Sequence, residues 1–427
     1  MQGIHNWGCY PIIDADIINF EQEDDLRKNL ERKGEAIAYG NGRSYGDASL
    51  QKRVLVTKKY NSLHSFDYQT GILSCDAGIL LSDILKVFVP KGWFLPVSPG
   101  TKFITIGGAI AADIHGKNHH HDSSFGQYIH EMRVMRSDGE IITCSRNQNN
   151  DFFKLTIGGM GLTGIILNVK VSLQKIETAY IHQKIIQSKS LNELLDQFES
   201  HDDWQYSVSW LDTYATGPNL GRGIFIKGRH LTTDELILPK HQNNPLDINL
   251  PRALSLPIDM PSGLLNNSTN RIFNSIYFHS KGRLSTDSIV SYEQFFYPLD
   301  TLKNWNRLYG KRGFTQYQFV LPDGTNRDVL KTILRKIQEK GEGSGLAVLK
   351  RFGEQHGFMS FPMPGYTLAL DFPIKSSIFN LMKELDQMVM KHGGRLYLAK
   401  DVRMSEDMFL KTYPNADDFK HAISLLN

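Results

Sequence analysis

The chain has 427 residues, 41% hydrophobic and 22% charged, with a formal net charge of +3. That length holds two domains sharing an interface, and the balance is that of an ordinary globular protein, too weakly basic to argue for nucleic acid. Three scattered cysteines, Cys9, Cys75 and Cys144, exclude a disulfide framework and read as reduced thiols in a cytosolic protein; neither a secretory leader nor an uncharged apolar run of about 18 residues is visible.

In chain order, the first signal is the glycine-rich loop Gly40-Asn41-Gly42-Arg43-Ser44-Tyr45-Gly46-Asp47. Residues 71–77 read as a strand and 80–88 as a short helix stopping before Pro90. Pro99-Gly100-Thr101, Thr105-Ile106-Gly107-Gly108-Ala109 and His115-Gly116-Lys117-Asn118-His119-His120 follow. Ser137-Asp138-Gly139 marks a hairpin between strands at 132–136 and 140–144. Gly159-Met160-Gly161-Leu162-Thr163-Gly164 has the spacing of a nicotinamide-binding fingerprint, which must open a helix. Here it opens 165–173, where Ile165, Leu167, Val169, Val171 and Leu173 alternate with other residues, a strand period that rejects that fold. Glycine turns admit backbone N–H groups close to an anion, so four such segments within about 130 residues imply one long ligand with a pyrophosphate near its middle.

A new pattern starts near Glu177. Ser190-Leu191-Asn192-Glu193 reads as a capping box opening a helix with Leu191, Leu194, Leu195 and Phe198 on one face. A second helix is expected after Thr325, with Asp328 at the capping position and Val329, Leu330, Ile333, Leu334 and Ile337 as its stripe; a third runs over 377–392 and ends at Gly393-Gly394. Strands at 206–211, 316–321, 346–352 and 366–372 separate them, reading as a mixed sheet with helices on one face. Residues 238–274 lack a clear period and read as a long loop, either a lid or lipid-contacting flap or a poorly packed insertion.

These residues carry a resemblance. The N-terminal region resembles the FAD-binding domain of the vanillyl-alcohol oxidase type. More closely, the chain is similar to the decaprenylphosphoryl-β-D-ribose 2-oxidase family through Gly42-Arg43-Ser44-Tyr45-Gly46-Asp47 and Asp113-Ile114-His115-Gly116-Lys117-Asn118-His119-His120. It continues in Ser209-Trp210-Leu211-Asp212, Tyr297-Pro298-Leu299-Asp300, Trp305-Asn306-Arg307, Gln316-Tyr317-Gln318-Phe319-Val320, Asp371-Phe372-Pro373-Ile374-Lys375, Gly394-Arg395-Leu396-Tyr397 and Ala399-Lys400-Asp401. It implies an α+β, two-domain flavoprotein: an FAD-binding domain over 1–175, an antiparallel-sheet substrate domain with helices on one face over 176–397, and a segment over 398–427 returning to the first domain.

The resemblance implies that FAD is held by Gly40, Asn41, Gly42, Arg43, Ser44, Tyr45 and Gly46, with backbone N–H groups and Ser44 on the phosphates. Gly100, Thr105, Ile106, Gly107, Gly108, Ala112, Asp113, Ile114 and His115 line the cofactor further along, and Ile166 and Tyr397 match later contacts. Arg43 stands where relatives in the wider superfamily attach FAD to a histidine, and a guanidinium cannot form that link, so the cofactor is expected to be non-covalent. Lys400, His115 and Tyr45 are the expected catalytic residues. Lys400 orients the hydroxyl, stabilises negative charge or acts as base; His115 accepts or orients a proton at the flavin edge, or only hydrogen-bonds the loop or the flavin. Lys117, Gln318, Lys350 and Lys400 face the substrate, with Trp210, Leu346 and Phe352 as its apolar wall. His115, His119, His120 and His121 invite a metal, but Gly116 and Asn118 make a poor helix and no carboxylate pattern accompanies them, so none is expected.

The implied activity is oxidation of the ribose C2 hydroxyl of a polyprenyl-phosphate pentose to a ketone, with a separate NAD(P)H-dependent short-chain reductase completing epimerisation to arabinose. A soluble aldose, alditol or aldonolactone oxidoreductase, or a non-catalytic sugar-lipid-binding flavoprotein, are the alternatives. A cytoplasmic protein with a lipid substrate must meet the inner membrane peripherally. Ala369, Phe296, Thr367 and Val208 depart from the family pocket, where a cysteine, a tyrosine, an asparagine and a serine are found in members.

Overall fold

Alternating apolar and polar residues set most of the architecture in the computed structural model, which describes residues 2–32, 34–236, 244–248, 254–282, 287–324, 326–354 and 356–426. Near the N-terminus, Ile13–Asn19, Arg53–Val56 and Ile37–Tyr39 pair in parallel and Gln2–Ile4 adds an antiparallel edge. A five-stranded antiparallel sheet follows in the order Leu63–Asp67, Ile72–Asp76, Ile165–Ser172, Ile129–Met135, Ile141–Ser145. Its central strand is the one opened by the glycine run ending at Gly164, so the strand period was the correct guide there. The hairpin turn closes with Gly139 at φ +83°, and Leu81–Phe88 forms the short helix, burying Leu81, Ile84, Leu85 and Phe88.

The second half is built on eight strands, in the order Asp287–Ser291, Tyr180–Ser188, Gly223–His230, Tyr206–Leu211, Ala347–Phe352, Gly365–Pro373, Phe314–Pro322, Arg395–Leu396. Every pairing among them is antiparallel, as the family resemblance implies, which corrects the mixed sheet read from the local pattern. One face takes three amphipathic helices, Leu191–Ser200, Asn326–Glu339 and Ser376–Lys391. They bury apolar stripes, in the first two the expected ones, against Leu211, Phe225, Tyr317, Phe319, Leu349, Leu368 and Leu370. Period two then turns Gln316, Gln318, Val348, Lys350, Thr367 and Ala369 to the opposite face, which fronts a cavity.

Three expectations change. Ser190 caps its helix by accepting the Glu193 N–H, but the Glu193 carboxylate returns to the Lys189 N–H, one residue before the cap, at 2.7 Å. Thr325, the expected start of the second helix, lies outside the described residues. The 238–274 stretch, of which 238–243 and 249–253 are also outside them, is not all loop: Asn267–Gly282 is a helix. It packs Phe278 and Tyr277 against Ile185, Trp210 and Ile224, on the cavity face, so the helices do not all lie on one face.

After Arg395–Leu396 the chain runs beside the first glycine loop. It ends in helices Glu406–Thr412 and Ala416–Leu426, where the Leu426 carbonyl accepts from Arg136 at 3.3 Å.

Candidate functional site

A cavity of about 840 Å³ lies between the glycine turns and the open face of the eight-stranded sheet. Volume and lining suit a dinucleotide with part of a second ligand. In the first loop Gly42 sits at φ +57°, and a Cβ on Gly40 would stand 2.4 Å from Thr105 Oγ1, so glycine is required for the close approach. The backbone N–H groups of Asn41, Gly42, Arg43 and Ser44 meet no acceptor among the described residues. Consecutive unpaired amides around a left-handed turn form an anion cradle, which fits a pyrophosphate. Ser44 behaves differently from expectation: its hydroxyl donates to the Ala399 carbonyl and is not free for a phosphate. Asn41 Nδ2 ties the loop to Phe103 O at 2.7 Å.

The same loop is laced to the C-terminal segment. Tyr45 N–H donates to Ala399 O at 3.2 Å and Asp47 N–H to Asp401 O at 3.3 Å. Between these contacts Lys400 projects its Nζ to 3.5 Å from the Tyr45 ring centroid, a cation–π distance. Burial pulls the Lys400 ammonium well down from the ordinary lysine range, opposed by the Asp371 carboxylate. Asp371 is pushed up by burial; one oxygen accepts from Gln316 Nε2 and the other has no hydrogen-bond partner among the described residues. Burial also keeps the Tyr45 phenol protonated.

His115 is buried between the rings of Phe352 at 4.7 Å, Tyr397 at 5.1 Å and Phe361 at 5.7 Å. Its tautomer follows from a chain of hydrogen bonds. Thr367 Oγ1 donates to Phe319 O at 2.8 Å, so it accepts from Gln318 Nε2 at 3.2 Å, and the same amide nitrogen donates to His115 Nε2 at 3.1 Å. The proton therefore sits on Nδ1, which is buried without a hydrogen-bond partner among the described residues. Desolvation, with Lys350, His119 and Lys400 adding, lowers its pKa well below 6.5. Thus arranged, His115 is a neutral donor and not a free base.

Two further lysines share the cavity. Burial, then Lys350, draws Lys117 down to about 7, and burial draws Lys350 down to about 8. Lys117 Nζ donates to Phe296 O at 3.2 Å. Three ammonium groups in one desolvated space repel one another, and an anionic ligand relieves that repulsion. Trp210 and Leu346 wall the cavity beside them. The other histidines have separate partners: His119 accepts from Gly353 N–H, while His120 bonds Trp204 O and His121 bonds Asp202 O.

Of the expected site residues, Gly40, Asn41, Gly42, Arg43, Ser44, Tyr45, Gly100, Thr105, Gly107, Gly108, Ala112, Ile114, His115, Lys117, Ile166, Trp210, Gln318, Leu346, Lys350, Tyr397 and Lys400 line this one cavity. Four stand a layer behind it. Gly46 packs on Asp401, Ile106 is in the core, and Phe352 backs His115. Asp113 is a buried brace, accepting from Ser124 at 2.7 Å, Gly126 N–H at 2.8 Å and Ser360. The four substituted positions, Ala369, Phe296, Thr367 and Val208, all line the cavity. Missed were Phe273, Tyr277 and Lys281, brought in by the unexpected helix, and Asp371, which alternation places on the face of Thr367 and Ala369.

Residues 21–145 match the family described as "FAD binding domain". Over 424 residues, 97% of this chain and 92% of the relative, the sequence is 36% identical to decaprenylphosphoryl-beta-D-ribose oxidase of Mycolicibacterium smegmatis. The chain belongs to the decaprenylphosphoryl-β-D-ribose oxidase family. It is an FAD-dependent oxidoreductase acting on CH–OH groups, in the two-domain α+β fold of the vanillyl-alcohol oxidase type. More distantly, it is 27% identical over 163 residues to L-gulonolactone oxidase of Mus musculus, covering 38% of this chain and 36% of that one. It is 32% identical over 117 residues to cytokinin dehydrogenase 4 of Arabidopsis thaliana, covering 26% and 21%. These two shorter matches are consistent with a shared cofactor domain on which substrate domains diverge.

Proposed function

We propose that this protein oxidises the C2 hydroxyl of the ribose in a polyprenyl-phosphate pentose to a ketone. The observation that carries this reading is the convergence of Lys117, Lys350 and Lys400 in one cavity whose further wall, at Trp210 and Leu346, is apolar. A phosphate joining a sugar to a hydrocarbon suits cations followed by apolar surface.

When bound, FAD supplies the two-electron acceptor for the C2 hydrogen. The chain's own residues orient and handle protons. Lys117 and Lys350 hold the phosphate. Lys400, with its depressed pKa, takes the hydroxyl proton in its neutral form. His115 offers its Nδ1 proton to an oxygen in the cavity, held in that tautomer by Gln318 and Thr367. Tyr45 packs under Lys400 and fixes its direction. The ketone is the substrate for an NAD(P)H-dependent short-chain reductase, which would deliver the arabinose epimer.

A second reading, oxidation of a soluble aldose, alditol or aldonolactone, is favoured by Phe296 and Thr367 where family members carry a tyrosine and an asparagine, and by the L-gulonolactone oxidase relative. Anaerobic bleaching of the flavin separates the two. Loss of absorbance with polyprenyl-phosphoryl ribose and not with free pentoses, alditols or aldonolactones is the expected result. Bleaching by the free compounds alone would transfer the protein to the second reading.

A further inference from the structure

Over residues 267–276 the helix Asn267–Gly282 is inverted in polarity, before Tyr277 and Phe278 turn apolar side chains inward. Its inward face carries two buried asparagines: Asn274 donates to Asp212 Oδ1 at 3.0 Å and Asn270 to the Tyr214 hydroxyl at 3.3 Å. Its outward face carries Ile272, Phe273 and Ile276, exposed by 62%, 54% and 63%. A helix bordering water has the opposite arrangement.

The ridge is extended by its neighbours. Leu254 and Ile258 are 73% and 68% exposed on a segment tied down at both ends. Leu254–Ser255 pairs in parallel with Leu302–Lys303, and Met260 N–H donates to Arg307 O at 2.9 Å. Of the twelve large hydrophobic side chains exposed among the described residues, seven fall between positions 254 and 299, a concentration that marks an interaction surface. Phe273 and Leu299 are both exposed and part of the cavity wall, so the cavity opens through this surface.

Charge selects the occupant. The helix holds Arg271, His279 and Lys281 and no carboxylate, and Lys303 stands at the same mouth. None of Arg271, Lys281 and Lys303 is paired with a carboxylate among the described residues. A second copy docking by twofold symmetry would set these cations against themselves. A bilayer with anionic headgroups complements both features, the apolar ridge and the cations around it.

We infer that this face docks on an anionic membrane surface, with the Ile272–Ile276 ridge, Leu254 and Ile258 entering the boundary between headgroups and acyl chains. Arg271, Lys281 and Lys303 meet the headgroups. The cavity then opens onto the bilayer, so a lipid-linked sugar reaches the lysines without its tail crossing water. That consequence rests on the substrate reading above; the docking does not.

The test is flotation of FAD-loaded protein with vesicles of phosphatidylcholine alone, or containing about one-third phosphatidylglycerol. The protein is expected to float with the anionic vesicles. Ile272→Ser/Ile276→Ser, at two positions outside the cavity wall, is expected to weaken flotation at least roughly tenfold, and Arg271→Glu to weaken it several-fold, both with unchanged melting temperature and flavin content. Protein that stays down with both vesicles, or a double variant that floats like the parent, overturns the inference. A concentration-dependent dimer abolished by the double variant, without flotation, assigns the face to a second copy and overturns it too. Failure of the substrate reading shows independently, as absent flavin bleaching by the lipid-linked ribose dispersed in detergent.

Discussion

Gly46→Ala should uncouple the cofactor loop from Lys400. A Cβ at Gly46 would stand 1.7 Å from the Asp401 carbonyl oxygen, 2.7 Å from its carbon and 3.1 Å from its nitrogen. All three are backbone atoms, so no change of rotamer relieves the clash. Ordinary contact begins near 3.4 Å, and the 399–401 segment must therefore retreat by about 1.7 Å. That retreat breaks the Tyr45–Ala399 and Asp47–Asp401 backbone hydrogen bonds, at about 1 kcal/mol each, and adds about 1–3 kcal/mol of overpacking. The expected loss of about 3–5 kcal/mol is a large part of the 5–15 kcal/mol that holds a typical domain. It also carries Lys400 away from the Tyr45 ring. Urea unfolding of the FAD-free protein measures the stability change, and quenching of flavin fluorescence the cofactor affinity, which is expected to fall at least about tenfold. Gly100→Ala is the control, since a Cβ there meets nothing within 4 Å, and its unfolding midpoint should not move. A Gly46→Ala protein with the parent's midpoint and FAD affinity would refute the coupling.

Lys400→Met is expected to slow flavin bleaching by a factor of about 10²–10⁴ while retaining FAD, and Lys400→Arg not to rescue it, because a guanidinium stays charged. Thr367→Val leaves Gln318 and the Phe319 carbonyl short of a partner and frees the amide to turn; kcat should fall about tenfold with little change in KM, and Thr367→Ser should restore it. Arg43, its guanidinium 3.9 Å over the Trp7 ring, should leave FAD unattached, so acid precipitation releases all flavin to the supernatant. Lys117 at about 7 and Lys350 at about 8 lie below the roughly 10.4 of an unfolded lysine, so the unfolded chain binds more protons between them. Stability of the FAD-free protein should therefore rise from pH 7 toward pH 10, less so in Lys117→Met, whereas affinity for a phosphate-bearing substrate should fall above about pH 8.

Legibility of the sequence followed how each feature is encoded. Four strands of the eight-stranded sheet and three of the amphipathic helices were readable because each buries one face, and burial writes its period directly into residues such as Tyr317, Phe319 and Leu321. Strand direction leaves no such trace, since a parallel and an antiparallel strand bury the same alternate residues; the local pattern read as a mixed sheet, and the antiparallel one came from the family resemblance. Helix Asn267–Gly282 escaped for the opposite reason. Its period is present in Ile272, Phe273 and Ile276, but those face outward, and the side it buries mixes Asn270 and Asn274 with Tyr277 and Phe278, so a search for an apolar inward face finds only the last turns. The motifs located the cavity without resolving which members face it. Within Thr105-Ile106-Gly107-Gly108 the helix turns Ile106 into the core, and within Asp113-Ile114-His115 the carboxylate of Asp113 is spent on three donors behind the wall. Asp371 was visible as a residue and invisible as a partner. Only the antiparallel register that sets Gln316 opposite Asp371, together with the return of 399–401 along the glycine loop, brings its carboxylate to bear on Lys400. The proton chemistry of this site is thus a product of tertiary pairing between segments distant in the chain, which is where local pattern carries the least information.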